Sequence, residues 1–433
     1  MTPQSAFFVM MPIRPEAHDE LAALLEGMNV EPGHADPRNA LVPFGAFDGL
    51  HFARICILRD NTVGDVGAYG IAPTSYPDYL ALLGDVDGSA DAFFQELADR
   101  AGPGLARLFS HCEGFGRGGD VLVFMRRHVV DAAAAYVNWR GRTMLQIREE
   151  AAIHEAVEAF LDRSAAATAS ATPLELHAML RHFLSDEISA GRLTMTPEAP
   201  TSWGWLLANA LSAIVPVLLL ILLAPLAIVG GAILLLLVRR HETRDPEICP
   251  RVDLAYRERI AFTEDRDVTN AFSAVGTLKP GAVRRVMSIV GLWILSYAVQ
   301  HFYGAGRLAR VRTIHFARWV WIDRKRRLVF MSNYDGSLES YMDDFINKAG
   351  FGLNFVFSNG IGYPKTQWLL NGGCKDEQKF KNFLHRHQFY TNVWYNAHPG
   401  LTAVDLERNA RIRAGLEASS LSAADAGEWA AML

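Results

Sequence analysis

Little in this chain of 433 residues points to a familiar catalytic or recognition module. Its four cysteines, Cys56, Cys112, Cys249 and Cys374, form no CxxC pair. That spacing argues against a zinc site or a disulfide framework and fits a reducing compartment. Cys249-Pro250 reads as a plain loop cysteine rather than a thiolate ligand to haem iron. There is no Walker loop, no GxGxxG and no Ser-His-Asp order. A formal net charge of −5 gives no reason to expect a nucleic-acid partner. The opening residues, MTPQSAFFVMMPIRPEAHDE, place no basic segment ahead of their apolar run, so they read as a strand and a Pro-started helix, not a signal peptide.

What the chain does have is repetition. HFAR occurs at His51–Arg54 and again at His315–Arg318, and the neighbourhoods match. Asp87, Gly88 and Ser89 align with Asp335, Gly336 and Ser337. Phe124, Arg127, His128, Tyr136 and Gly141 align with Phe383, Arg386, His387, Tyr395 and Gly400, and Pro15 with Pro280. The offsets change only where loops belong, the main extra loop being NTVGDVGAYGIAPTSYP in the first copy. The chain reads as a diverged tandem duplication.

Each copy shows the same order of periods. In the second copy NAFSAVGTL is strand-like, and PGAVRRVMSIVGLWILSYAVQHFY is a helix started by proline. TIHFARWVWID and RRLVFMSN form a hairpin. SLESYMDDFINK is an amphipathic helix capped by Ser337. DEQKFKNFLHRH is a further helix and TNVWYN a last strand. The order predicts an α+β fold, a tandem duplication of a ferredoxin-like βαββαβ unit. Strand alternation puts His315, Ala317 and Trp319 on one face and Phe316, Arg318 and Val320 on the other. Both faces are largely apolar, which predicts sheets packed on each other as an α/β barrel.

From Trp203 to Val238 no residue is charged, more than enough for one membrane span of about 20 residues. Arg239, Arg240 and Arg244 follow, which the positive-inside rule assigns to the cytoplasm. Packed copies need one compartment, so a re-entrant or hairpin insertion is expected, with turns at Pro216, Pro225 or Gly230-Gly231. The rival is a full span with a return span at Val286–Tyr303. The predicted organisation is a first copy at 1–163, linker and helix at 164–202, a membrane-embedded helical segment at 203–240, a polar connector at 241–269 and a second copy at 270–433. The last carries an apolar first helix lying against lipid.

IHFARWVWID, MSNYDGSLESYMDDFINKA, VFSNGIGYPKTQWL and VWYNAHPGLT resemble a family of uncharacterised bacterial membrane proteins, which implies fold context and no chemistry. GDVDG (Gly84–Gly88) also resembles the GxxDG pattern of dye-decolourising peroxidases, in the superfamily of paired ferredoxin-like units. That likeness implies a haem cofactor, with Asp87 as distal acid and Arg54 or Arg318 as its partner. The second copy has SNYDG, without the first glycine.

The candidate catalytic residues are therefore Asp87, Asp335, His51 and His315, and the candidate ligand-binding residues Arg54 and Arg318. Each has a plainer reading. The aspartates suit a strand-to-helix turn, the histidines a hydrogen-bonded core. Each arginine, costly to bury alone, needs an anion; an internal aspartate such as Asp335 is the expected partner, and a substrate carboxylate or haem propionate the alternative. His128 and His387 end short basic helices, where cations suit the dipole. His385 and His387 lack a third ligand at metal spacing, so no metal site is expected. Three readings follow: a membrane-attached protein holding a hydrophobic small molecule or haem between its two units, a non-catalytic membrane scaffold, or a lipid-modifying enzyme fed from the bilayer.

Overall fold

A computed structural model describes every residue of the chain except Ala305. The first half runs β1 (Gln4–Pro12), α1 (His18–Glu26), β2 (Leu50–Leu58), β3 (Tyr79–Asp87), α2 (Ala90–Phe109), α3 (Val121–Arg127), β4 (Ala132–Val137) and α4 (Met144–Arg163). After a single turn at Ala165–Thr168 come the longer helices α5 (Pro173–Ser189), α6 (Trp203–Leu222), α7 (Ala224–Arg244) and α8 (Leu254–Glu264). The second half runs β5 (Thr269–Thr277), α9 (Ala282–His301), β6 (Ile314–Ile322), β7 (Arg327–Asp335), α10 (Leu338–Phe357), α11 (Glu377–His387), β8 (Val393–Asn396), α12 (Ala403–Glu417) and α13 (Ala423–Ala430). The 241–269 connector is thus not purely polar linker, because α8 buries Ile260 and Glu264.

The strands form two main sheets. One has the order β1-β3-β2-β8, extended by the short strands His34–Ala35 and Asn29–Glu31; the other is β4-β6-β7-β5. The last strand of each half has therefore left its own sheet. β8 pairs with β2, Tyr395 opposite Ala53, and β4 pairs with β6, Tyr136 opposite Ala317. This departs from the expected arrangement, in which each unit keeps its own fourth strand. Neither half owns a complete sheet, and each covers the other's open edge, which would otherwise expose unpaired backbone groups. Bridges from Val9 to Val129 and from Ala274 to Gln388 tie the sheets together at both seams.

Between the sheets lie Phe8, Cys56, Leu58, Leu83, Val275, Val320, Val329 and Met331, all buried. At roughly 1.5–3 kcal/mol for each large apolar side chain, this layer is a main reason the halves stay together. The helices cover the outer faces. α2 packs Phe93, Phe94 and Leu97 on the first sheet, and α10 packs Tyr341, Met342 and Phe345 on the second.

Three helices, α6, α7 and α9, are long and apolar enough to cross a membrane. α6 and α7 stand almost bare: their most apolar stretches are 0% and 6% buried, against 33% for α9. Of the expected turn positions only the one beside Pro225 is used, since the chain breaks at Leu223 and Pro225 opens α7. Pro216 lies inside α6 and the glycine pair inside α7.

Both ends of this pair are fastened to the same body. Before α6, Thr196 donates to Glu149 through its amide and hydroxyl (2.8 and 2.6 Å), and the N-terminal ammonium bonds Thr201 at 3.0 Å. At the far end Glu242 accepts from Thr366 Oγ1 (2.7 Å) and from the amides of Trp368 and Leu369 (2.8 and 3.0 Å), while Asp245 meets Arg284 at 2.6 Å. Between the ends, the Tyr297 hydroxyl of α9 donates to the Ala213 carbonyl of α6 at 2.7 Å.

Candidate functional site

The repeated Asp-Gly-Ser has a local cause. Each strand ends on the aspartate. The glycine takes a left-handed conformation (Gly88 φ 75°, Gly336 φ 81°), and the serine caps the next helix, Ser89 accepting from the Ala92 amide and Ser337 from that of Ser340. A side chain at the glycine would be strained there.

Each aspartate then binds outside its own turn. Asp87 Oδ1 lies 2.9 Å from His51 Nε2, and its Oδ2 accepts from the Met144 amide at 2.9 Å. Asp335 Oδ1 lies 2.6 Å from His315 Nε2 and accepts from Thr269 Oγ1 at 2.8 Å; its Oδ2 accepts from the Ala403 amide at 2.7 Å. Met144 and Ala403 are the first residues of α4 and α12, both opened by threonine capping boxes. A carboxylate against a helix N-terminus is favoured by the exposed amides and the dipole. The four candidate catalytic residues thus form two matching staples, each joining strand, histidine and terminal helix.

Strand alternation misplaces His315. The β2/β3 register slips between Leu50 and Phe52, and the β6/β7 register between Ile314 and Phe316. Each bulge leaves one extra residue, the histidine, and re-aims it. His315 consequently does not share the helix-side environment of Ala317 and Trp319. Its ring lies against Phe52 (5.3 Å between centroids) and His398 (5.6 Å), while His51 lies against Phe316 (5.6 Å). His398 had no signal in the sequence, because its counterpart in the first half is Trp139. Burial, then the neighbouring His315 and His51, push its pKa well below the usual value, so it stays neutral. The cavity at these rings is about 20 Å³, room for about one water. Ligand pockets run to roughly 300–1,000 Å³. This cavity is lined from both halves, by His51 and Asn138 of the first and His315 and His398 of the second.

The arginines cross between the sheets. Arg54 donates from Nη1 to the Phe272 carbonyl (2.9 Å) and Ser273 Oγ (2.8 Å), and from Nη2 to the Ser332 carbonyl (2.8 Å) and Asn333 Oδ1. Arg318 donates to the Phe7 and Gly84 carbonyls (2.6 and 3.2 Å) and forms an ion pair with Asp85. The carboxylate partner is therefore Asp85 and not Asp335, which is occupied by its histidine and helix. Asn333, which aligns with Asp85, links the two sets through a 3.4 Å contact to Asp85 Oδ2. The Gly84-Asp85 and Ser332-Asn333 pairs were visible in the alignment. That they face the opposite sheet was not.

Glu264 is a further buried acid that the sequence did not single out. It accepts from Gln388 Nε2 at 2.9 Å and from the Thr391 amide. Burial pushes its carboxyl up to about 7, against an ordinary value of 4.5. Between those values the folded protein holds a proton that the unfolded chain has released. This group's contribution is full below about pH 4.5, is lost as pH rises towards 7, and is flat above. Glu264→Gln should therefore stabilise the protein at pH 8 by up to about 3 kcal/mol, at about 1.4 kcal/mol per pKa unit, with the advantage gone near pH 4.5. Denaturant titrations of both proteins across that range check it, and a pH-independent difference would refute it.

His385 and His387 point to different partners. His385 Nε2 lies 3.5 Å from Glu339, and His387 Nδ1 lies 2.8 Å from the Phe383 carbonyl, as His128 Nδ1 does from that of Phe124. Cys249 is half-buried, and its thiol is pushed up to about 11, chiefly by burial. Compared with protein-family models, curated proteins and solved structures, the chain has no significant match.

Proposed function

We propose that this protein is a non-catalytic membrane scaffold: a two-unit barrel seated on the cytoplasmic face of a bilayer and held there by α6 and α7 as a re-entrant wedge. The observation that carries the reading is that two bare apolar helices begin and end on one packed body. A run of this kind is unstable in water. The basic residues Arg239, Arg240 and Arg244 favour the cytoplasmic side.

On this reading the halves are diverged copies of a ferredoxin-like unit that have exchanged their last strands. The support is their common detail. β1 pairs with β3 from Gln4 opposite Asp87, and β5 with β7 from Thr269 opposite Asp335, each through nine residues without a slip. Each copy has a bulge at its histidine and an aspartate on its terminal helix. The scaffold role is favoured over chemistry because these polar groups are spent on internal partners. Both oxygens of each aspartate are engaged, and the arginines are satisfied by backbone carbonyls, Ser273, Asn333 and Asp85.

The topology is tested by labelling Ser202→Cys and Thr243→Cys with a membrane-impermeant maleimide, in intact cells and in inverted vesicles. Both positions should react in inverted vesicles only. Reaction of the two from opposite sides would establish a single span and overturn the proposal.

A further inference from the structure

A cavity of about 580 Å³ lies where the β2–β3 connection, residues 59–78, which contains the extra loop of the first half, folds over the start of α9 and the β6–β7 turn. Its wall is apolar, with Val66, Ile71, Leu278, Val286 and Ile289 among the lining residues. Its rim is cationic, from Arg285, Lys325 and Arg326. The acids nearby are already committed. Asp60 and Asp323 are taken by Arg327 (3.5 and 2.6 Å), and Asp245 by Arg284 (2.6 Å). The three rim cations are exposed and have no carboxylate partner among the described residues.

The turn that presents Lys325 and Arg326 is itself unusual; Arg285 comes from the first turn of α9. Asp323, Arg324 and Lys325 all have positive φ (49°, 55° and 62°), although none is glycine. Three successive side chains in a left-handed conformation persist only where the surroundings enforce it, and such strain gathers at binding sites. From the cavity an exposed apolar stripe continues along α9. Val286, Ile289 and Trp293, at i, i+3 and i+7, are 47%, 38% and 56% exposed on a helix apolar enough to lie in a membrane.

We infer that this cavity binds one anionic membrane lipid, its phosphate held by Arg285, Lys325 and Arg326 and its acyl chains running from the cavity along Val286, Ile289 and Trp293. A neutral detergent-like molecule would satisfy the wall and leave three cations unmatched. A free phosphate would satisfy the rim and leave the wall wet. An anionic lipid meets both, and basic clusters beside membrane helices recognise such headgroups. The site goes beyond the scaffold reading and does not depend on topology, because it can be measured in micelles where topology is absent.

The test is native mass spectrometry of the full chain in neutral detergent, titrated with dioctanoyl phosphatidylglycerol or dioctanoyl phosphatidylcholine. One phosphatidylglycerol should be retained with at least tenfold preference. The triple variant Arg285→Gln/Lys325→Gln/Arg326→Gln should lose at least tenfold of that affinity, with an unchanged unfolding temperature. Ala72→Trp, which fills the cavity and leaves the charges, should lose it as well, and it decides the matter should the triple variant unfold early. Equal retention of the two lipids, or full retention by the cavity-filled variant, overturns the site. Competition by glycerol phosphate as strong as that by phosphatidylglycerol would overturn the lipid in favour of a free anion.

Discussion

Replacing Arg318 by methionine should cost roughly 3–5 kcal/mol of folding stability. Arg318 is 3% exposed and Asp85 is 1% exposed. Burial raises the Asp85 pKa, and Arg318 is the largest of the neighbouring groups that oppose it. Methionine fills a similar volume but leaves Asp85 buried opposite an apolar chain. The carboxylate must then take up a proton or bear its desolvation, with Asn333 and the more distant Arg54 as the remaining help. Adding Asp85→Asn should restore more than half of the loss, because removing both charges takes away the uncompensated ion. Arg54→Met should cost less than Arg318→Met, since its hydrogen-bond partners are carbonyls, a hydroxyl and an amide, and no anion is stranded. Denaturant unfolding of the four proteins in one detergent measures this. A loss under about 1 kcal/mol for Arg318→Met would mean that water reaches Asp85 and that the inter-sheet layer is not closed.

Asp335→Ala should be comparably severe, at roughly 3–5 kcal/mol, with Asp87→Ala about half as costly. Asp335 is 7% exposed and holds His315, Thr269 and the first amide of α12. Hydrogen bonds to a charged group are worth about 1.5–3 kcal/mol each, and the donors left behind are buried, so water replaces them poorly. Asp87 holds two donors, and its side chain is 16% exposed, so water can partly repair its loss. The local consequence is specific. In Asp335→Ala the Ala403 amide should lose hydrogen-exchange protection before the strands do, because α12 is released at its N-terminus. Unchanged protection at Ala403 would mean that the helix is docked by its apolar face alone.

The sequence determined the local features because each depends on neighbours within a turn or a strand. Asp-Gly-Ser specifies strand end, left-handed turn and cap without reference to anything distant. Ser337 is the cap it was expected to be, and proline and glycine mark the start of α9. The charge-free run from Trp203 gives helices that find almost no protein to cover them. The matched landmarks likewise pointed to six residues that do come together in two sets of staples and cross-sheet arginines.

Only the tertiary structure decided the partners. β4 and β8 offer edge groups that either sheet accepts, and only the folded chain shows β4 on β6 and β8 on β2. A bulge inserts one residue without altering the apolar pattern around it, so alternation assigned His315 to the wrong environment. Arg318 had several aspartates to choose from. Asp87 and Asp335 were claimed by histidine and helix N-terminus, leaving Asp85 as the acid that faces Arg318 across the sheets. The cavity at Arg285, Lys325 and Arg326 joins a loop of the first half to a turn of the second. Such a site exists only once both halves are folded together.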